Sequence, residues 1–278
     1  IMSFDVKGFK NPHLKDFSEY KTMYEQSVKD PSKFFHEQAL KEIDWFNEPK
    51  MGFSGEFTKP IWFEDGILNI SYNCIDRHID KNSKKTAIIW QGDQKKDFKH
   101  ISYQELLKEV SKLSNGLKEI GVKKGTRVCI YMPMIPQAAY AMLSCLRIGA
   151  IHSVVFGGFS PEAIKSRIID SNCEYVITSD EGIRGGKTIP LKKNVDIAIS
   201  ECPNVKKSIV FKYTGSRVDW SDERDIWYMD LVKDQAEFCE CEEMSSEDPS
   251  FILYTSGSTG KPKGVMHSTC LLYTSPSP

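Results

Sequence analysis

Short apolar runs alternate with amphipathic stretches along most of this 278-residue chain, beginning near residue 76. Apolar runs rich in β-branched residues predict buried strands, and apolar residues spaced three and four apart predict helices between them. The predicted strands are Thr86–Trp90, Arg127–Met132, Ile151–Phe156, Glu174–Thr178, Lys207–Lys212 and Phe251–Tyr254. Continuously apolar strands that alternate with helices form parallel sheets covered on both faces, so we expect an α/β fold with a doubly wound parallel sheet.

The predicted helices have recognisable start and stop residues. Ser102, with Glu105 three positions later, forms a capping-box pattern, and Gly121 ends the helical periodicity after it. Pro136 suits the first position of a helix that runs to about Ile148. The other helices are predicted at Tyr20–Val28, Pro31–Ile43, Ser160–Asn172 and Leu191–Glu201.

The chain divides near residue 75. The segment before it is polar and irregular, with aromatic residues at irregular spacing, and we expect those residues to pack onto the later part of the chain rather than to form a core of their own. Ile1 is an unusual first residue, so residues upstream of it are expected. The last residues, 270–278, are expected to form a non-native tail.

Composition excludes several classes of protein. The net charge of −1 argues against a nucleic-acid partner, which would require a basic surplus. No apolar run is long enough for a transmembrane helix, and the first residues lack the features of a signal peptide, so we expect a cytoplasmic protein without membrane contact. Cys239 and Cys241 have no complementary ligand pair nearby, and no metal site is predicted.

A segment rich in Gly, Ser and Thr comes directly after the strand Phe251–Tyr254 and carries the clearest chemical signal. Its glycines allow the backbone to approach a ligand closely, and successive N–H groups in such a turn bind anions. Its hydroxyl groups add donors, and Lys261 and Lys263 add positive charge. This chemistry suits a polyphosphate. A Walker A loop is disfavoured because Lys261 is followed by Pro262 rather than by Ser or Thr. A flexible surface turn is the structural alternative.

From Tyr254 to Gly264 the chain resembles the signature loop of the adenylate-forming superfamily of acyl-CoA synthetases and luciferases. The resemblance implies that the loop holds the β- and γ-phosphates of MgATP while a carboxylate attacks the α-phosphate. The implied phosphate contacts are Thr255, Ser256, Gly257, Ser258, Thr259, Gly260 and Lys263.

Three further segments narrow the resemblance to acetyl-CoA synthetases: 66–78, 152–160 and 180–187. The first resembles the junction after the N-terminal cap of these enzymes. We therefore interpret residues 1–75 as the cap segment and 76–269 as the first part of the ligase domain. The resemblance also implies that Arg184, Gly185, Gly186 and Lys187 contact the nucleotide end of CoA, with Gly158 beside them. From spacing alone, Arg184 and Lys187 would be solvated loop charges.

The resemblance implies the reaction of an acetate–CoA ligase, with ATP, acetate, CoA and Mg²⁺. The acyl pocket, the adenine pocket and the C-terminal lysine domain of this family have no counterpart in the sequence, so we expect a truncated N-terminal fragment that is inactive alone and contains no catalytic residue. Two alternatives stay open: a propionyl- or other short-chain acyl-CoA synthetase, and a non-catalytic nucleotide-binding module.

The remaining polar candidates are assigned structural roles. His152 begins an apolar strand and is predicted to be packed and hydrogen-bonded. Asp76 and His78 are predicted to form local bridges. His267 lies after the glycine-rich segment, and no partner is predicted for it.

Overall fold

The computed structural model describes residues 14–56, 58–255 and 262–271. The α-helices are α1 Phe17–Lys29, α2 Pro31–Glu42, α3 Ile70–Cys74, α4 Ile79–Asn82, α5 Tyr103–Glu119, α6 Pro136–Arg147, α7 Pro161–Ser171, α8 Leu191–Ile199 and α9 Tyr228–Val232, with a 3₁₀ turn at Asp76–His78. The strands are β1 Phe53–Glu56, β2 Lys59–Trp62, β3 Ile67–Leu68, β4 Thr86–Gln91, β5 Phe98–Ser102, β6 Arg127–Tyr131, β7 Ile151–Val154, β8 Tyr175–Ser179, β9 Gly182–Arg184, β10 Lys187–Ile189, β11 Lys207–Phe211, β12 Asp225–Trp227, β13 Met244–Ser245, β14 Pro249–Thr255 and β15 Lys263–Ser268.

The described residues divide into two compact units. The first contains 14–56, 58–68, 245–247 and 270–271, and the second contains 69–244, 248–255 and 262–269. The expectation of a non-native tail falls mostly on residues outside the described part of the chain and stays a prediction.

The first unit contains a small aromatic cluster. The ring centroids of Trp62 and Phe35 lie 5.4 Å apart, and those of Trp45 and Phe63 lie 5.6 Å apart. Phe63 is completely buried and packs with Ala39. The cluster also includes Cys270, so these aromatic residues pack with the later part of the chain as expected, but they also form a local core, which was not expected. Rings of this size bury enough area to form a local core without the regular spacing of a helix or strand.

The second unit is built on a seven-stranded sheet with the order β12-β11-β8-β6-β7-β14-β15. Neighbouring strands from β12 to β14 are parallel, whereas β15 pairs antiparallel with β14. The predicted parallel sheet is confirmed for five of the six predicted strands, whereas Thr86–Gln91 (β4) pairs antiparallel with β5 in a separate two-stranded sheet. Strands β12 and β15 of the large sheet were not predicted. Because β6, β7, β8, β11 and β14 run in the same direction, the loops after them lie at one edge of the sheet.

Successive residues of the central strand β6 enter different apolar clusters. Val128 and Ile130 pack with residues of α5 and α6. Cys129 and Tyr131 pack with residues of α7 and α8. Side chains along a strand alternate between its two faces, so helices cover this sheet on both sides.

The capping box of α5 is confirmed. The amide of Glu105 donates to Ser102 Oγ over 3.2 Å, and the amide of Ser102 donates to Glu105 Oε2 over 2.8 Å. The amide and the hydroxyl group of Ser102 both donate to the Glu105 carboxylate, and these two hydrogen bonds lower the pKa of Glu105 because they favour its charged form. Gly121, with a φ of +97°, comes after the helix as predicted.

A buried ion pair joins α6 to the 3₁₀ turn. Arg147 is completely buried, and its guanidinium donates to both carboxylate oxygens of Asp76 over 2.8 and 2.9 Å. The prediction that Asp76 bridges locally is wrong, because its partner lies 71 residues away in the sequence. None of the helices in the described ranges has the length and apolar character that crossing a membrane would require.

Candidate functional site

The predicted phosphate loop connects β14 to β15. Residues Tyr254 and Gly264 are paired across these strands, as are Thr255 and Lys263. The structure therefore brings the Thr255 hydroxyl group and the Lys263 ammonium group to the base of one hairpin, and both residues are exposed. The other predicted phosphate contacts lie outside the described residues: Ser256, Gly257, Ser258, Thr259 and Gly260.

Tyr254 fixes the end of β14 to helix α7. Its hydroxyl group donates to Asp170 Oδ2 over 2.6 Å, and the Arg167 guanidinium lies 5.2 Å from the centre of its ring. Burial and the hydrogen bond to Asp170 raise the pKa of Tyr254, so the hydroxyl group keeps its proton at neutral pH. Through this contact α7 holds the strand from which the phosphate loop begins. Sequence reasoning did not identify Asp170, because a single polar residue on a helix gives no local signal.

Gly157 and Gly158 form the connection between β7 and α7. A Cβ atom added to Gly158 would lie 2.7 Å from Cε1 of Phe156, closer than non-bonded carbon atoms approach. Any larger residue at this position would displace the Phe156 ring, so glycine lets that ring pack against the backbone. The Tyr131 hydroxyl group lies 2.9 Å from the carbonyl oxygen of Phe159 and holds the same connection.

The predicted CoA segment is a short hairpin formed by β9 and β10, in which Arg184 pairs with Lys187. Its two turn residues, Gly185 and Gly186, have φ values of +56° and +72°. Positive φ at both central positions is typical of a type I′ turn, for which glycine is strongly preferred. The glycines thus place the two cationic side chains side by side at the exposed end of the hairpin.

A row of aromatic and arginine side chains connects this hairpin to the base of the phosphate loop. The Arg184 guanidinium lies 4.7 Å from the centre of the Phe156 ring, and that ring lies 5.7 Å from the ring of Phe159. Arg167 lies 4.7 Å from Phe159 and 5.2 Å from Tyr254. We call these five residues the α7 row. The structure therefore brings the segments predicted to contact ATP and CoA to one edge of the sheet.

Asp180 organises the loop after β11 beside the hairpin, a role that sequence reasoning missed. It is completely buried, and its carboxylate accepts hydrogen bonds from the amides of Tyr213, Thr214 and Gly215 over 2.8 to 3.2 Å. A buried carboxylate without hydrogen bonds would be costly, and here backbone donors compensate for burial. The contacts are more than thirty residues apart in sequence, so no local pattern predicts them.

We expect Asp180→Asn to lower the free energy of unfolding by about 1–2 kcal/mol, because an amide accepts fewer of these hydrogen bonds and its own N–H groups oppose the backbone donors. Chemical denaturation of wild type and variant measures the change. Asp222→Asn, at an exposed position, serves as the control for loss of one negative charge. Equal effects of the two substitutions would contradict the assigned role.

His152 and Phe251 stack with ring centroids 5.6 Å apart, and Phe251 stacks in turn on His267 at 4.6 Å. Burial lowers the pKa of His152 to about 4, so its ring is neutral. The prediction that His152 is packed is confirmed. The expected hydrogen bond is absent at Nδ1, which has no partner. His267, for which no partner was predicted, has a ring contact.

The second unit is an α/β domain in which the segments predicted to bind ligands begin or lie at the carboxyl edge of a parallel sheet. Residues 75–275 match the family of AMP-binding enzymes, and residues 20–74 match the acetyl-coenzyme A synthetase N-terminus. The chain belongs to the AMP-binding enzyme family.

Curated relatives give the same result. The chain is 57% identical over 266 residues to an acetyl-coenzyme A synthetase of Gamma-proteobacterium EBAC31A08, covering 96% of this chain and 42% of the relative. It is 53% identical over 258 residues to an acetyl-coenzyme A synthetase of Escherichia coli K12, covering 90% and 39%. The chain thus spans about 40% of the length of these relatives, and the resemblance seen in the sequence is confirmed.

The fold has a solved counterpart. An acetoacetyl-CoA synthetase from Streptomyces lividans superposes with a TM-score of 0.83 at 22% identity, covering 93% of this chain and 39% of that one. At this identity the comparison supports the fold alone, and the predicted fold class is confirmed.

Proposed function

We propose that the full-length protein is an acetate–CoA ligase that converts ATP, acetate and CoA to acetyl-CoA, AMP and diphosphate. The observation that carries the proposal is the α7 row, which joins the phosphate-loop base to the Arg184–Lys187 hairpin. A ligase that uses ATP and then CoA requires both nucleotides to be held near one reaction centre. The 52–57% identity to acetyl-coenzyme A synthetases supports acetate as the acid.

In the first half-reaction, a carboxylate oxygen of acetate attacks the α-phosphorus of ATP, and the bond to the β-phosphate oxygen breaks. Diphosphate leaves and acetyl-adenylate forms. Thr255 and Lys263, together with Ser256, Gly257, Ser258, Thr259 and Gly260, are proposed to bind the β- and γ-phosphates. Such a transfer is accelerated by hydrogen-bond donors and cations whose interaction with the leaving group strengthens as negative charge develops on it.

In the second half-reaction, the CoA thiol, after losing its proton, attacks the acetyl carbonyl carbon, and AMP leaves. We propose that Arg184 and Lys187 bind phosphate groups at the nucleotide end of CoA, where a planar guanidinium suits a phosphate particularly well. Gly185, Gly186 and Gly158 shape this surface. No catalytic residue is assigned within the segment.

Mg²⁺ is proposed to arrive with ATP. Mg²⁺ is commonly held by substrate phosphates with one or two carboxylates rather than by a cage of protein ligands. In residues 14–56, 58–255 and 262–271, no group of three or more His, Cys, Asp or Glu side chains is placed to hold a metal ion. An ion held mainly by phosphate oxygens would reduce the negative charge of ATP. The predicted cytoplasmic location and the absence of nucleic-acid partners stay predictions.

The test is exchange of labelled diphosphate into ATP by the full-length protein. We expect exchange that depends on acetate, with propionate giving a slower rate. A faster rate with propionate would favour the alternative of another short-chain acyl-CoA synthetase. The 278-residue segment alone is expected to give no exchange, since it spans about 40% of its relatives. Tight ATP binding by the full-length protein without any exchange would instead support a non-catalytic nucleotide-binding module.

A further inference from the structure

The turn of the β9–β10 hairpin is held by a carboxylate from a distant part of the chain. The amide of Gly185 donates to Asp93 Oδ1 over 3.2 Å, and the amide of Gly186 donates to Asp93 Oδ2 over 2.7 Å. Asp93 lies in the connection between β4 and β5, 92 residues earlier in the sequence. One carboxylate therefore accepts from both central residues of the turn, one oxygen for each amide.

Asp93 is itself well positioned. The amide of Gly92 donates to the carbonyl of Asp97 over 2.6 Å, which closes the connection across its base. The Gln91 side-chain amide lies 3.0 Å from the same carbonyl oxygen and 2.9 Å from that of Gln94. Hydrogen bonds within the β4–β5 connection thus stabilise its conformation. They keep the Asp93 carboxylate in position to accept from the turn.

The hairpin is short. Each of its strands has three residues, and the two strands form a separate two-stranded sheet. An isolated hairpin of this size is at best marginally stable in water, and glycine in both turn positions permits many other conformations. Arg184 and Lys187 stay adjacent only while the turn keeps its form.

Two effects of Asp93 on an anionic ligand oppose each other. Its negative charge near two cationic side chains weakens phosphate binding over a distance, and salt screens that effect at an exposed site. Its hydrogen bonds fix the turn, and hydrogen bonds to a charged group contribute more than those between neutral groups. Because Asp93 contacts the amides directly, we expect the ordering effect to exceed the repulsion.

We propose that Asp93 is a positioning residue for CoA: it holds the Gly185–Gly186 turn so that Arg184 and Lys187 converge on one phosphate group. The amides of Gly185 and Gly186 donate to Asp93 and so hold the turn. The side chains of Arg184 and Lys187 are then the groups that bind the phosphate. The inference rests on the proposed function, because it assigns the hairpin to CoA.

The experiment compares Asp93→Asn, Asp97→Asn and Arg184→Ala in the full-length protein. Asp97 is the matched control because it carries the same charge in the same connection and lines the same cavity of about 470 Å³ beside the hairpin turn. The readouts are the KM for CoA in thioester formation from supplied acetyl-adenylate, and acetate-dependent diphosphate exchange. Hydrogen–deuterium exchange of residues 182–189 reports on the hairpin itself.

We expect Asp93→Asn to raise the KM for CoA by about tenfold, the loss corresponding to one hydrogen bond to a charged acceptor. Diphosphate exchange should be unchanged, which shows that the variant is folded, and amide exchange should accelerate within 182–189. Asp97→Asn should change the KM by less than about twofold, because the two turn amides donate to Asp93 and not to Asp97.

An unchanged or lowered KM for CoA in Asp93→Asn would overturn the inference, provided that Arg184→Ala raises it. Lowered values in both Asp93→Asn and Asp97→Asn would show that the acidic connection only repels the ligand. If Arg184→Ala leaves the KM unchanged, the hairpin does not bind CoA, and the proposed role of the hairpin fails together with the inference.

Discussion

Lys263→Ala in the full-length protein is expected to slow acetyl-adenylate formation by about 10²–10³-fold, the loss typical of removing one group that stabilises developing charge. Lys263 is exposed at the start of β15 and is paired with Thr255, so its ammonium group lies at the base of the phosphate loop. Charge develops on diphosphate only in the first half-reaction. Thioester formation from supplied acetyl-adenylate, in which diphosphate takes no part, should be slowed much less.

The measurement is single-turnover kinetics of the two half-reactions. Lys193→Ala is a suitable control, because it removes an equal charge from an exposed position on α8. Equal losses in both half-reactions would contradict the role assigned to Lys263. A loss confined to the KM for ATP would indicate that the lysine binds ATP in the ground state and transition state equally.

Lys192→Met is expected to lower the free energy of unfolding by about 3–5 kcal/mol, because removing one cation from this buried ion-pair cluster leaves two carboxylates with a single cation. The Lys192 side chain is completely buried, with Nζ 2.9 Å from Asp225 Oδ2 and 2.7 Å from Asp196 Oδ1. Arg224 also donates to both carboxylates. Met fills a similar volume, so the expected loss comes mainly from charge rather than from packing.

This loss should depend on pH. Burial alone would raise the pKa of Asp225, but hydrogen bonds from Arg224, Lys192 and Ser221 outweigh burial and lower it. A carboxyl group whose pKa is lower in the folded state stabilises the fold above its unfolded pKa, and this stabilisation disappears as pH falls through the folded value. The difference between wild type and Lys192→Met should therefore be largest near neutral pH and smaller in acid.

Chemical denaturation at several pH values tests this prediction. The neighbouring Lys193 is exposed, so Lys193→Met controls for loss of a lysine from the same helix. The double variant Lys192→Met with Asp225→Asn should recover part of the lost stability, because it removes the excess negative charge and leaves Arg224 paired with Asp196. A pH-independent loss would show that packing rather than ion pairing dominates.

Local patterns predicted much of the fold. The capping box at Ser102 and Glu105 and the glycine after α5 could be read directly, because those interactions lie within a few residues. The alternation of β6 between two helical layers was implied by its continuous apolar sequence. Strand β15 was missed because four of its residues are exposed and one is Gly264, so neither apolar character nor alternation distinguishes it from a loop.

The candidate site was predicted less completely, and for a physical reason. Sequence motifs identified Arg184 and Lys263, because a cationic residue close to glycines indicates a site for phosphate. The residues that hold these segments are Asp93, Asp170 and Asp180. The partners described above lie between 33 and 93 residues away, so only the tertiary fold creates these interactions.

The position of helix α7 affects how mutations can alter nucleotide binding in such a protein. Arg167 is 8% exposed and contacts rings on both sides, one from β14 and one from the Gly157–Gly158 connection. A substitution there disturbs the supports of both proposed nucleotide segments at once. Selection for altered use of either ATP or CoA therefore acts on a shared scaffold, and adaptive mutations in α7 are expected to affect both segments.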